Sequence, residues 1–309
     1  MNANISKSQI QEILKDYPLT NINSTKLLTG GSENDNYLIK TEDANFVLTI
    51  CQHKSFEEST LLAELLIHLN KYNFKTSKII KTKSNELISI WNKKPVMLKE
   101  FLEGKVITDL KLPVLQFIGK EQARLHLIKA PQHLPKSLSY GMEHFSDLQD
   151  YETDSPFQDW LSGVKETIKP WLNKDLPKAL IHGDIFDNNI IVSEDETAAC
   201  IMDFEEATFY YRIFDIGMSI IGTCNDHKTI VVKKINALLK GYQEISVLTK
   251  DEQNALPSFI FYAGAAMAFW RYKNFRYIKA DPNMADNYLG LQSFAESGKK
   301  ISIDHLNFK

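Results

Sequence analysis

The sequence has 309 residues, 43% of them hydrophobic and 24% charged, with a formal net charge of -3. That length supports two lobes with a core each. The near-neutral charge, without a long lysine or arginine run, excludes the footprint of a nucleic-acid binder and a polybasic membrane anchor. Small molecules are the partners this leaves, and nothing in the sequence specifies an oligomeric state.

The first residues, Met1 to Ser6, lack the basic and apolar regions of a signal peptide. Ser6-Lys-Ser-Gln9 reads as a capping box opening a helix whose apolar face is Ile10, Ile13, Leu14 and Tyr17. Gly30-Gly31-Ser32 precedes a strand at Tyr37–Lys40, which the polar turn Thr41–Asn45 joins to a strand at Phe46–Ile50. A second capping box, Ser55-Phe-Glu-Glu58, starts an amphipathic helix through Leu61, Leu62, Leu65, Leu66 and Leu69. Strand-like runs follow at Lys78–Ile80, Glu86–Trp91 and Val96–Phe101.

From about Lys111 the texture changes to helix, with apolar stripes at Leu112–Leu127, Trp160–Trp171, Ile213–Ile221 and Ile230–Tyr242. Two short strand-like runs, Ile190–Val192 and Ala199–Met202, interrupt it. The run Phe259–Trp270 is too short to cross a bilayer comfortably and reads as a buried helix. The pattern predicts an α+β protein: a small mixed lobe over 1–103 and a larger, mainly helical lobe over 104–309, meeting at the flexible Gly104. Cys51, Cys200 and Cys224 are scattered and odd in number, as expected of buried free thiols in a reducing, cytoplasmic setting.

The sharpest feature is His182-Gly-Asp184-Ile-Phe-Asp187-Asn188-Asn189, set between apolar residues. Phosphoryl transfer to an alcohol needs a carboxylate to take the hydroxyl proton and a magnesium ion to neutralise the phosphates. Magnesium takes oxygen ligands from one or two carboxylates, amides and water. H-x-D-x-x-x-x-N supplies a base and an amide ligand at the spacing of a kinase catalytic loop. A second carboxylate comes from Cys200-Ile201-Met202-Asp203-Phe204, an apolar run ending in Asp-Phe, with Glu205 where that signature has glycine. Either piece alone recurs by chance, and Asp184 and Asp203 could then be turn or cap residues; both pieces in this order are far harder to obtain accidentally.

These residues resemble the aminoglycoside phosphotransferase and choline kinase superfamily, which has a two-lobed protein-kinase-like fold with a small antiparallel β/α N-lobe. The resemblance implies ATP and Mg2+ as cofactors and a small-molecule alcohol as acceptor. It makes Asp184 the catalytic base and Asn189 and Asp203 the metal ligands. His182 becomes a loop brace rather than an acid or base. Asp215, in Phe214-Asp-Ile-Gly217, steadies the loop or simply caps a helix.

Gly31-Ser32-Glu33-Asn34-Asp35-Asn36-Tyr37, Phe101-Leu-Glu-Gly104 and Gly264-Ala-Ala-Met-Ala-Phe-Trp270 are similar to segments of the type II homoserine kinases. That branch phosphorylates L-homoserine for threonine biosynthesis. The alternatives are another acceptor (choline, ethanolamine, hydroxylysine or an aminoglycoside) or a nucleotide-binding pseudokinase. Gly30, Gly31, Ser32 and Asn34 would cover the nucleotide, unless they form a plain hairpin turn.

Thr49 stands where protein kinases carry the strand lysine, and the resemblance implies threonine there in the branch as well. Lys99 or Lys40 could replace that cation, and Glu58 or Glu64 could supply the helix acid. For the acceptor's charged groups Asp187, Glu205, Arg212, Arg271 and Arg276 are candidates, each equally readable as a surface ion pair. Ala268 and Asn188 depart from the arginine and aspartate usual in the branch.

Overall fold

In the computed structural model the described residues are 5–28 and 34–309, so the expectations for Gly30, Gly31 and Ser32 lie outside them. The chain divides into two compact units, Met1–Glu103 and Gly104–Lys309.

The first unit opens with helix α1 (Lys7–Leu14). Its capping box is complete: the Ser6 hydroxyl accepts from the Gln9 N–H at 3.3 Å, and the Gln9 side chain accepts from the Ser6 N–H at 2.9 Å. Such caps contribute about 1 kcal/mol. There follow β1 (Ile22–Leu27), β2 (Asn34–Thr41), β3 (Asn45–Cys51), α2 (Phe56–Lys71), β4 (Ile79–Ile80), β5 (Ser89–Trp91) and β6 (Lys94–Glu100). Among the described residues the strands form one six-stranded antiparallel sheet in the order β1-β2-β3-β6-β4, with β5 also paired to β6.

Strand alternation sends Tyr37, Ile39, Leu48, Ile50, Val96 and Leu98 to one face, where they pack on Ile10, Ile13, Leu14 and Tyr17 of α1 and the turn after it. The opposite face therefore carries Asn36, Lys40, Val47, Thr49, Met97 and Lys99. Strand β1 carries no readable alternation because it is an edge strand, its four polar residues exposed or half-buried.

The second unit holds α3 (Leu112–Leu127), α4 (Pro156–Leu172), β7 (Lys178–Ile181), β8 (Ile190–Val192), β9 (Ala199–Ile201), β10 (Thr208–Tyr211), α5 (Arg212–Thr223), α6 (Val232–Ile245), α7 (Lys250–Lys273) and α8 (Tyr288–Lys299). The interruption is larger than the sequence suggests: β7 pairs with β10 around the β8–β9 hairpin. The apolar run Phe259–Trp270 is the middle of the 24-residue α7. Among the described residues, no helix is long and apolar enough to cross a membrane. Helix α8 escapes the periodicity because its buried positions are Leu291, Ala295 and Gly298, two of them nearly without side chain. All three cysteines are buried thiols.

Candidate active site

Two strand ends carry the candidate site. Strand β7 delivers His182, Gly183 and Asp184, and β9 delivers Asp203 through Met202. His182 is fully buried and links them: its Nε2–H donates to the Met202 carbonyl at 2.9 Å, while Nδ1 accepts the Asp184 N–H at 3.1 Å. That pattern fixes one neutral tautomer. Burial, the largest influence, holds the imidazole below its usual range, against the opposing charge of Asp215. Phe204 packs edge-on against the same ring. The backbone closes the junction, Met202 N–H donating to Asn189 O at 2.9 Å.

Gly183 is gripped from both sides. Its N–H donates to Asp215 Oδ1 at 2.7 Å, and its carbonyl accepts the Tyr140 hydroxyl. Its φ of +85° lies in the region that favours glycine, and a Cβ there would sit 2.8 Å from the Glu206 carbonyl. Asp215 is itself fully buried; Oδ2 accepts from Gln122 at 2.8 Å and His126 at 3.0 Å. Burial pushes the Asp215 carboxyl up, but His126, His182 and Gln122 outweigh it and hold the group below the usual carboxylate range.

Asp184 is half-buried. Asn189 Nδ2 donates to its carbonyl oxygen at 2.8 Å and to its Oδ2 at 2.9 Å. Burial, then the charges of Asp203 and Glu206, push the Asp184 carboxyl up to about 7, against the Asn189 hydrogen bond and the Arg271 charge. Asp203 is exposed at φ 66°, a left-handed conformation that aspartate tolerates better than most residues.

Beside this loop, entirely within the second unit, lies a recess of ≈ 260 Å³, its walls including Phe186, Asp187, Gly222, His227, Arg271 and Asn287. Helix α5 meets the catalytic loop here without a gap, since a Cβ on Gly222 would sit 2.8 Å from Phe186 Cα. Burial lowers the Arg271 guanidinium from its usual range, against the stabilising charge of Asp184. Burial raises the Asp187 carboxyl.

Residues 24–247 match the model of the phosphotransferase enzyme family APH. The chain belongs to that phosphotransferase family. Homoserine kinase from Methylobacillus flagellatus is 26% identical over 272 residues, covering 86% of this chain and 84% of that one. Among solved structures, amicoumacin kinase hAmiN in complex with AMP-PNP, Ca2+ and Ami superposes with a TM-score of 0.73 at 14% identity, covering 99% and 96% of the two chains. A microcompartment-associated aminopropanol kinase gives 0.72 at 16%, covering 96% and 100%. These neighbours share the protein-kinase-like α+β fold expected from the sequence. The chain is a phosphotransferase with an alcohol group as acceptor, a kinase of small molecules.

The phosphotransferase offers donors that fit magnesium. Asp203 and the Asn189 amide provide hard oxygens. The charges of Asp203 and Glu206 both raise Asp184, making a site that a cation relieves. Among the described residues no cluster of three or more His, Cys, Asp or Glu is arranged to hold a metal ion. An ion that takes one or two carboxylates and completes its shell from phosphate and water needs no such cluster.

His182, Asp184, Asn189 and, through Gly183, Asp215 are thus brought into one bonded cluster, with Asp203 near enough for its charge to act on Asp184, and Asp187 and Arg271 at the adjoining recess. Arg212 is not brought there. Its guanidinium meets Glu252 through Nε at 2.6 Å and Nη2 at 2.7 Å, joining the start of α5 to the start of α7, so its candidacy for the acceptor falls away. Arg276 is likewise engaged, by Asp286 at 2.7 Å. Glu205 sits half-buried in the turn after Phe204.

In the first unit, Thr49 donates to Asn36 Oδ1 at 2.7 Å on the sheet face that Lys99 shares, and Asn34 Oδ1 accepts the Gln52 N–H at 3.2 Å. Glu58 is occupied as a capping partner of Ser55. Sequence reasoning missed Glu206, Gln122, His126 and Tyr140. Glu206 had only its nearness to Asp203 to mark it, and the other three act across more than 40 residues of chain.

Proposed function

We propose that the protein is an ATP- and Mg2+-dependent L-homoserine kinase of the cytoplasm, forming O-phospho-L-homoserine for threonine biosynthesis. The observation that carries this reading is that Arg271 and Asp187 both line one small recess beside Asp184. A zwitterionic acceptor wants a cation for its carboxylate and an acid for its ammonium. A recess of ≈ 260 Å³ suits an amino acid and is small for an aminoglycoside. The alignment with homoserine kinases along most of both chains supports the same acceptor.

In this reading Asp184 accepts the proton of the acceptor hydroxyl as its oxygen forms the new bond to the γ-phosphorus, and the bond to the bridging β,γ oxygen breaks to release ADP. The Asp184 carboxyl, raised toward neutrality, is matched to a base that must take and return a proton near pH 7. Asn189 holds that carboxylate in place, and with Asp203 it would hold the metal. Magnesium, when bound, neutralises charge on the phosphates. His182 and Asp215 keep the loop in register. In the first unit the sheet face bearing Asn34, Asn36, Thr49 and Lys99, with Gly30, Gly31 and Ser32, serves the nucleotide.

A coupled ADP-release assay over L-homoserine, choline, ethanolamine, hydroxylysine, 3-aminopropan-1-ol and an aminoglycoside tests the proposal. Homoserine should give the highest kcat/KM. Clear turnover of another acceptor with none of homoserine would sink it.

A further inference from the structure

Among the described residues Arg271 hydrogen-bonds one side chain, and that side chain is neutral. Its Nη1 donates to the Asn287 carbonyl at 3.4 Å and to Asn287 Oδ1 at 3.3 Å, both long bonds. Among the described residues no carboxylate lies within ion-pair distance of Arg271, although Asp286 precedes Asn287 and also lines the recess. Asp286 is taken by Arg276, whose Nη2 donates to it at 2.7 Å while Nε donates to the Ala285 carbonyl at 3.1 Å. The Arg276 guanidinium lies over the rings of Tyr272 and Tyr288, 4.7 and 5.4 Å from their centroids. Tyr272 follows Arg271 and Tyr288 follows Asn287, so this clamp fixes both members of the Arg271–Asn287 pair from behind.

We infer that Asn287 is the specificity-determining residue of the acceptor recess. It orients Arg271 without neutralising it and so keeps the guanidinium for the carboxylate of an amino-acid acceptor. The inference rests on the acceptor recess proposed above. An aspartate at 287 would place a charged oxygen beside Nη1, discharge the arginine within the protein and set an anion against the acceptor carboxylate. The recess would then favour the acceptor lacking that group, an amino alcohol. Asn287 is exposed and is the N-cap of α8, where aspartate is well tolerated.

The test pairs ligands that differ by the carboxylate alone. Wild type, Asn287→Asp and Asn287→Ala are titrated calorimetrically with L-2-aminobutyrate and propan-1-amine, which lack the reacting hydroxyl. They are then assayed with L-homoserine and 3-aminopropan-1-ol. Wild type should prefer the carboxylated member of each pair by about 10- to 100-fold, the range of a charge-assisted hydrogen bond. Asn287→Asp should abolish or reverse the preference, Asn287→Ala should reduce it severalfold, and the KM for ATP should stay within twofold in both. Equal binding of the two non-reacting ligands by wild type, or a preference that survives Asn287→Asp, overturns the inference. The titration decides it even if homoserine proves not to be phosphorylated, an outcome that would overturn the proposed function instead.

Discussion

The side-chain nitrogen of Asn189 lies 2.9 Å from Asp184 Oδ2 and 2.8 Å from the carbonyl oxygen of the same residue. One amide thus fixes both the carboxylate and its backbone, and it does so against an unfavourable field. Burial, Asp203 and Glu206 all resist ionisation of Asp184, and Asn189 and Arg271 favour it. Strain of this electrostatic kind is stored where charge is needed for chemistry, and it has consequences for stability.

Asp184→Asn should make the protein more stable and inactive. An unfolded aspartate titrates near ~3.9, whereas Asp184 in the folded chain is pushed up to about 7. Between those values the folded state binds the extra proton, so stability from this residue is full below pH ~4 and lost as pH rises through 7. Without nucleotide or divalent cation, the variant should gain on the order of 2–4 kcal/mol at pH 8 and nothing at pH 4. Urea unfolding at the two pH values measures this, and equal stability at pH 8 would refute the charge balance described for Asp184. Turnover should fall by orders of magnitude.

Glu206→Gln should move the pH dependence of activity. Glu206 accepts the Ser139 hydroxyl at 2.7 Å, a bond that the glutamine carbonyl can also accept, so the change removes charge more than structure. With one of the two acidic neighbours gone, the Asp184 carboxyl should ionise more readily. The acidic limb of kcat/KM should shift to lower pH by about half a unit to one unit. An unmoved limb would detach Glu206 from the base.

How much of this was legible follows from where each signal sits in the chain. The geometry of the candidate loop was readable because Asp184 and Asn189, which bond to each other, lie five residues apart, and Asp203 follows an apolar strand whose partner lies just upstream. The capping boxes at Ser6 and Ser55 were readable for the same reason: both partners sit three residues apart. The Asp215 network was half-legible. Asp215 stood out, but Gln122 and His126 reach it from a helix about 90 residues earlier, and nothing in an amphipathic stripe distinguishes a bracing histidine from an ordinary buried one. Arg212 and Arg271 were indistinguishable as letters. What separates them is that Glu252 meets the first and an uncharged amide meets the second.

The Arg212–Glu252 pair is structural, and its loss should separate stability from catalysis. Glu252 is fully buried, accepts two guanidinium hydrogen bonds and also completes the capping box with Thr249 at the start of α7. Glu252→Ala strands a partly buried guanidinium and removes a cap, and should cost about 3–5 kcal/mol. Activity per folded molecule, with folding followed by circular dichroism, should stay near wild type. A large rise in the acceptor KM of the folded fraction would return Arg212 to the acceptor site.

Asp215 should couple loop geometry to pH. Its two oxygens meet three donors: the Gly183 N–H, the Gln122 amide and His126 Nε2. Asparagine keeps one acceptor for Gly183 but turns an N–H2 toward two groups that already donate. Asp215→Asn should therefore cost about as much as breaking a buried pair, roughly 3–5 kcal/mol, and lower kcat by loosening Gly183 beside the base. The carboxyl is held below the ordinary range despite its burial. Its stabilising contribution is therefore present above pH ~4 and lost as pH falls through the depressed folded value. The difference in unfolding free energy between wild type and Asp215→Asn should be largest at pH 7 and should shrink only below pH 4. A difference that instead widens as pH falls from 7 to 5 would mean that Asp215 is not ionised in the folded protein, and that Gly183 is held by a neutral acid instead.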